Sequence, residues 1–237
     1  MGLRELQEEF EYVRPQKGFY ATSSASKQAA RSGKSLTSYL FIKRMLDIVL
    51  SLIGILFLMP LFMIVALWIK IEDSKGSVFF KQDRVGKDET LFAMYKFRSM
   101  VSNAEELKQQ LMHQNEVEGA MFKMKNDPRV TRVGRFLRKT SIDELPQLWN
   151  VLIGNMSLVG PRPALPSEVK EYTAYDKKRL AVTPGCTGLW QVSGRSNVSF
   201  QEMVELDLTY IKNRRLFLDF QIIAKTFAVL LGSKDAF

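Results

Sequence analysis

Residues 48–69 form an unbroken run of 22 uncharged, mostly apolar residues, with Pro60 in its second half. Basic residues bracket it, Lys43 and Arg44 before and Lys70 directly after. A straight helix of this length reaches ~33 Å at ~1.5 Å per residue, enough to cross a hydrocarbon layer of ~30 Å. A simple span carries its Lys/Arg excess mainly on the cytoplasmic side, yet the chain beyond this run is more basic still. Pro60 lacks an amide hydrogen and clashes with the preceding turn, so it breaks or kinks a helix near that point. The expectation is a bent, re-entrant helix that dips into one leaflet and returns, anchored at its entrance by Lys43 and Arg44.

This reading gives three regions: a polar N-terminal tail over 1–37, a membrane-inserted helix over 38–72, and a cytoplasmic domain over 73–237. The last is long enough to bury a core of its own. Lys plus Arg total 34 against 25 Asp plus Glu, a formal charge of +9. Such a surplus suits acidic headgroups or phosphorylated small molecules, and the membrane segment favours these over nucleic acid. The single cysteine, Cys186, excludes an intrachain disulfide. The single histidine, His113, excludes a multi-histidine metal site and argues against a Ser-His-Asp triad. Residues 1–40 are polar and the apolar run starts late, which reads as an uncleaved anchor, not a signal peptide.

Asp47 is the awkward residue at the edge of the apolar run. It lies one turn after Lys43 and Arg44, where side chains three and four apart meet, and reads as their interfacial partner. Val78–Gln82 and Leu91–Phe97 are β-type runs around a Gly86 loop, a hairpin pattern. Ser102 with Glu105 marks a helix through about Met112, and Ser199 with Glu202 another to about Lys212. Pro166 and Ser167 open a helix to about Leu180. Leu216–Leu231 is a last helix, apolar over more than half its surface, which suits a core or the membrane interface. The fold class is mainly α with a small β-hairpin (α+β), a re-entrant membrane helix and amphipathic interfacial helices.

Seven basic residues and one acid, Asp127, fall between Lys123 and Lys139, with Val133, Phe136 and Leu137 at helical spacing. A basic amphipathic helix can simply rest on lipid headgroups. It can also turn an arginine inward, where the planar fork of donors suits phosphoryl oxygens. Asp143 and Glu144 come directly after and also have two readings. Ser141 with Glu144 matches a capping box, while Asp143 as the cap would put Pro146 in the tolerated first turn. Alternatively one carboxylate is a nucleophile or base and the other binds a divalent metal. Gly160-Pro161-Arg162-Pro163 is a stiff turn presenting one arginine. Residues 184–195, with Trp190, Gln191 and Arg195 among three glycines, suit a loop over a nucleotide and equally a tight structural loop.

The segments Tyr95-Lys96-Phe97-Arg98-Ser99-Met100, Arg138-Lys139-Thr140-Ser141-Ile142-Asp143-Glu144-Leu145-Pro146-Gln147, Gly160-Pro161-Arg162-Pro163 and Gly188-Leu189-Trp190-Gln191-Val192-Ser193-Gly194-Arg195 occur in that order. From about Leu40 onward the chain resembles the bacterial sugar transferases of the monotopic phosphoglycosyl transferase type. Many relatives carry a multi-span N-terminal region, so this chain looks like a compact member. Its helix break, Met59-Pro60, lacks the Ser-Pro pair of some compact relatives.

The resemblance implies transfer of a sugar-1-phosphate from a UDP-sugar to undecaprenyl phosphate, the first step of exopolysaccharide, capsule or O-antigen-type glycan synthesis. Asp143 would be the nucleophile, Glu144 a ligand for Mg²⁺, and Arg138 and Arg162 the phosphate binders. Gln191 and Arg195 would contact the nucleotide sugar. The implied partners are the UDP-sugar, undecaprenyl phosphate, membrane lipid, a second copy in a homodimer and downstream glycosyltransferases, with no nucleic acid. The implied location is the cytoplasmic face of the bacterial inner membrane. Two other classes stay open: a membrane-anchored lipid-binding scaffold with Asp143-Glu144 as a cap, and a hydrolase that cleaves UDP-sugars with water.

Overall fold

The computed structural model describes residues 25–111, 124, 127–193 and 198–232, with backbone alone at 25–35, 108 and 230–232. The chain divides into two compact units, Met1–Lys43 and Arg44–Phe237. Of the first, the described residues 25–43 are helical.

Helix α1 runs from Ala25 to Glu72 and includes Pro60. It therefore starts ahead of Ser38, and residues 25–37 are helix where a tail was expected. Ala, Lys, Gln and Arg dominate its first turns, and extending an existing helix avoids the cost of a new nucleus. Pro60 does not end the helix either, since it deletes a single amide donor while its neighbours keep theirs. Leu36–Glu72 is long and apolar enough to cross a membrane, with a mean hydropathy of 2.9 in its most apolar window.

Within Arg44–Glu72 one face of α1 lies against the rest of the second unit along its length. Arg44 donates to the carbonyls of Val151 and Leu152 at 2.6 and 2.8 Å. Asp47, 5% exposed, accepts from the Leu158 amide at 3.0 Å. Asp47 is thus buried against the globular body. A Cβ on Gly54 would lie 3.2 Å from Leu148. Val65 and Ile69 share a core with Phe97, Val133 and Leu137. Glu72 accepts from the Arg132 and Val133 amides at 2.7 and 3.0 Å. The opposite face exposes Leu56, Phe57, Met63, Ile64, Leu67 and Ile71.

The expected hairpin is present. Strands β1 (Phe79–Val85) and β2 (Leu91–Phe97) pair antiparallel, Phe79 facing Phe97 and Val85 facing Leu91. Helix α2 (Ala104–Leu111) comes next, then α3 (Arg132–Lys139), capped by the Thr131 hydroxyl accepting from the Gly134 amide. Gly134 is required where α3 meets the end of β2, because a Cβ there would sit 1.9 Å from the Ser99 carbonyl oxygen. Helix α4 (Gln147–Ile153) lies beside β2. Its buried Asn150 accepts from the Tyr95 amide and donates to the Ala93 carbonyl at 2.9 and 2.8 Å, satisfying the free edge of β2.

Strand β3 (Ser157–Val159) pairs parallel with β4 (Gly185–Thr187), a second sheet where the sequence suggested only a loop. Gly160 and Gly185 allow it, since a Cβ on Gly185 would meet the Gly160 amide nitrogen at 2.1 Å. Helix α5 (Pro166–Lys170) is much shorter than the expected run to Leu180, and a 3₁₀ stretch spans Asp176–Ala181. Asp176 accepts from the Thr173 amide and hydroxyl at 2.8 and 2.7 Å, and this local turn ends the helix. Helix α6 covers Leu189–Ser193. Helix α7 (Phe200–Asn213) carries the expected Ser199–Glu202 capping box, and α8 (Leu216–Gly232) closes the described chain. Exposed aromatic side chains on α3 (Phe136), α4 (Trp149) and α8 (Phe217, Phe220, Phe227) suit the interfacial character read from the sequence.

Candidate active site

Asp143 and Glu144 do not cap a helix in either of the two ways the sequence allowed. Ser141 adopts a left-handed backbone (φ 55°) and makes no side-chain cap bond, and Ile142–Glu144 forms a 3₁₀ turn. Helix α4 opens only at Gln147, behind Pro146. Leu145 keeps helical torsions (φ −56°, ψ −33°), but Pro146 has no amide hydrogen to donate back into the turn, and the α pattern begins only after it. Both carboxylates are therefore left for other work.

Asp143 is 8% exposed. Burial raises its carboxyl to about 6; Lys96 and Arg138 pull it down and Glu144 pushes it up, without reversing the effect of burial. Glu144 keeps 48% of its side-chain surface open and accepts from Lys96 Nζ at 2.6 Å. Desolvation pushes the Glu144 carboxyl up, but Lys96, Arg162 and Arg84 together hold it below the usual carboxylate range. The two neighbouring acids are thus tuned apart, one towards the middle of the pH scale and the other away from it.

Four elements bring cations to this turn. Lys96 comes from β2. Arg138, in the last turn of α3, donates from Nε to the Ser99 hydroxyl at 2.9 Å. Arg162 lies in the stiff turn after β3, 3.6 Å from Glu168, which in turn accepts from the Leu165 amide. Arg84, on β1, is 5% exposed. Around Asp143, Glu144 and Glu168 this gives four positive groups against three acids, an arrangement that favours an added anion.

Gln191 lies on α6 against the same turn: a Cβ on Gly188 would fall 2.6 Å from its Oε1 and 2.2 Å from the Gly160 carbonyl oxygen. Gln191 Oε1 and Trp190 Nε1 are buried without hydrogen-bond partners. Arg195 lies outside the described residues. Lys43, Arg44 and Pro60 belong to α1, away from this cluster in sequence, and Arg44 serves as the tie to α4 described above.

Arg84, Lys96 and Ser99 are the site residues that sequence reasoning did not single out. Lys96 and Ser99 sit inside the recognised Tyr95–Met100 segment, so a signal existed; Arg84 has none beyond being a lone arginine on a strand. Of the arginine-rich segment, Arg129 pairs with Asp127 at 2.7 Å and Arg132, Arg135 and Lys139 are exposed, while the half-buried Arg138 is its contribution to the site.

No group of three potential metal-ligating side chains occurs among the described residues. Mg²⁺ commonly uses one or two carboxylates plus substrate phosphates, and the Lys96 bond engages one of the two Glu144 oxygens. The donor set fits an ion that arrives with a diphosphate.

A profile of the family described as bacterial sugar transferase matches residues 38–233. The galactosyl transferase CpsE of Streptococcus agalactiae serotype III is 47% identical over 197 residues, which is 82% of this chain and 43% of that protein. The undecaprenyl-phosphate galactose phosphotransferase of Salmonella typhimurium is 45% identical over 201 residues, 83% of this chain and 42% of its own length. The exopolysaccharide production protein ExoY of Rhizobium meliloti is 39% identical over 199 residues, 82% of this chain and 88% of that protein. This chain thus spans about two fifths of the length of the first two relatives.

Proposed function

The chain belongs to the bacterial sugar transferase family, and we propose that it transfers a sugar-1-phosphate from a UDP-sugar to undecaprenyl phosphate, releasing UMP. The observation that carries this reading is the buried Asp143 carboxyl, raised to about 6, in a turn where it has no capping task and faces Lys96 and Arg138. At pH 7 such a group is about 90% ionised, yet it is more basic, and so a better nucleophile, than a solvated aspartate.

In the first step an Asp143 carboxylate oxygen attacks the β-phosphorus of the donor. The bond from that phosphorus to the bridging oxygen breaks and its electrons leave on UMP. The product is an aspartyl-phosphosugar. In the second step a phosphate oxygen of undecaprenyl phosphate attacks the same phosphorus, the acyl-phosphate bond breaks, and Asp143 returns as carboxylate. Arg138, held by Ser99, and Arg162 bind phosphoryl oxygens whose charge shifts during both displacements. Lys96 keeps Glu144 ionised and oriented. Glu144 would hold Mg²⁺, which when bound neutralises phosphate charge. An unpaired buried oxygen on Gln191, beside the Arg162 turn, supports a contact from this residue to the nucleotide sugar.

The acceptor phosphate sits at headgroup level, so the site must stand at a membrane surface. Contacts from Arg44 to Glu72 hold both ends of the apolar stretch of α1 on one globular body. This supports a re-entrant, monotopic seat with the site on the cytoplasmic face, where UDP-sugars are made. One relative is named an undecaprenyl-phosphate galactose phosphotransferase and another an exopolysaccharide production protein, which supports a role for this transfer in initiating exopolysaccharide or capsule-type glycan synthesis.

The test incubates detergent-solubilised full chain with UDP-galactose, UDP-glucose or UDP-N-acetylgalactosamine, MgCl₂ and undecaprenyl phosphate, and measures UMP. Lipid-dependent UMP release from at least one donor is expected. No UMP from any donor would return the chain to the scaffold class. Undiminished multiple turnover without lipid would make it a hydrolase.

A further inference from the structure

Arg84 is a buried cation of the cluster with no part in the transfer steps above. It is 5% exposed, and its side-chain hydrogen bonds among the described residues go to uncharged oxygens. Its Nη1 donates to the Pro163 carbonyl at 2.9 Å and its Nη2 to Gln82 Oε1 at 2.7 Å. Its Nε is buried without any partner. The next residue repeats the connection, the Val85 amide donating to the Ala164 carbonyl at 2.9 Å. The first strand of the hairpin is therefore bonded at two successive positions to the turn that carries Arg162.

A guanidinium removed from water without a counter-charge is costly, and a purely structural tie could be made by a neutral donor. Burial works most strongly against the charge on Arg84 and Arg162 repels it, while Glu168 and Glu144 favour it. Glu168 is already shared with Arg162 at 3.6 Å and Glu144 with Lys96 at 2.6 Å. Both nearby acids are thus shared with other cations and neither pairs directly with Arg84, so its positive charge is only partly compensated.

We propose that Arg84 is a positioning residue for the donor diphosphate, fixing the Pro161-Arg162-Pro163 turn through the Pro163 carbonyl and adding a buried positive charge behind Arg162. The bound diphosphate completes the counter-charge. This inference rests on the proposed transferase reading, so the experiment must separate the two.

Full-length wild type, Arg84→Met and Arg84→Lys in nanodiscs are compared for donor KM, kcat, UDP affinity by calorimetry and melting midpoint. Arg84→Met is expected to raise donor KM and the UDP dissociation constant by at least about tenfold, since a buried charge acts on a diphosphate through a low-dielectric medium. Arg84→Lys, which keeps the charge but loses the fork, should recover most of the affinity and little of kcat. If Arg84 acts through Arg162, the KM effects of Arg84→Met and Arg162→Lys should combine to less than their product. The inference is overturned if both Arg84 variants lower the melting midpoint while leaving KM and UDP affinity at wild-type values. Wild-type enzyme without turnover, but with UDP binding lost in Arg84→Met, would sink the transferase reading and leave the Arg84 assignment standing. Equal UDP binding by all three proteins would remove the Arg84 assignment whatever the turnover.

Discussion

Asp143→Asn should abolish turnover and at the same time make the protein more stable at neutral pH. The side chain is 8% exposed and its carboxyl is raised from 3.8 in the open chain to about 6 in the fold. A raised carboxyl means that the folded state holds its proton more tightly than the unfolded state. Between pH 3.8 and 6 the unfolded chain has released that proton and the folded one has not, so stability falls as pH rises through this window and is flat beyond it. The gap corresponds to about 3 kcal/mol, at 1.36 kcal/mol per tenfold change in the equilibrium. Asparagine has nearly the same shape and no charge to desolvate, so it escapes this cost. In a domain of this size that is about 6–12 °C in melting midpoint. The assay is differential scanning fluorimetry of both proteins in detergent with EDTA, from pH 4 to 7.5. The variant should melt higher at pH 7.5, and the two curves should converge near pH 4. A variant that melts at or below wild type at pH 7.5 would refute the claim that the site confines an ionised carboxylate at the expense of the fold.

Two other substitutions separate local roles. Glu144→Gln keeps shape but removes the charge that accepts from Lys96 at 2.6 Å; it should raise the Mg²⁺ concentration needed for half-maximal activity several-fold, and an unchanged Mg²⁺ titration would remove Glu144 as ligand. Gly134→Ala should gain up to about 1 kcal/mol from helix propensity but lose more, about 1–3 kcal/mol, because its Cβ would fall 1.9 Å from the Ser99 carbonyl oxygen. Activity should fall with it, since the same shift disturbs the Arg138–Ser99 bond at 2.9 Å; a stabilised, fully active Gly134→Ala would show that α3 need not approach so closely.

Features set by neighbours in sequence were legible. The two β-type runs flanking Gly86 announced the hairpin, and Ser199 with Glu202 announced α7, because both depend on contacts a few residues apart. The acid pair and the arginines at 138 and 162 were also visible, and the structure brings them together around one turn. What the sequence concealed was long-range. Gly185–Thr187 reads as a loop between Pro184 and Gly188, and becomes a strand only because Ser157–Val159 offers it a parallel partner. Arg84 and Lys96 look like ordinary solvated basic residues on strands until the hairpin is laid beside the Arg162 turn and the Asp143 turn. The two capping readings of Ser141–Pro146 were both local, with Pro146 favouring Asp143 over Ser141 as the cap, and both gave way to a left-handed Ser141 that tucks Asp143 into the site. Asp47 was placed by helix spacing beside Lys43 and Arg44, whereas the bond that buries it comes from Leu158, more than a hundred residues away.

The most direct measurement is intact-protein and peptide mass spectrometry of the purified chain mixed with its UDP-sugar donor in the absence of lipid acceptor. A mass increase of one sugar phosphate on the peptide containing Asp143, lost on adding undecaprenyl phosphate and absent in Asp143→Asn, is the predicted result. Product formation with lipid, but never an adduct on that peptide with donor alone, would contradict a mechanism that passes through this carboxylate.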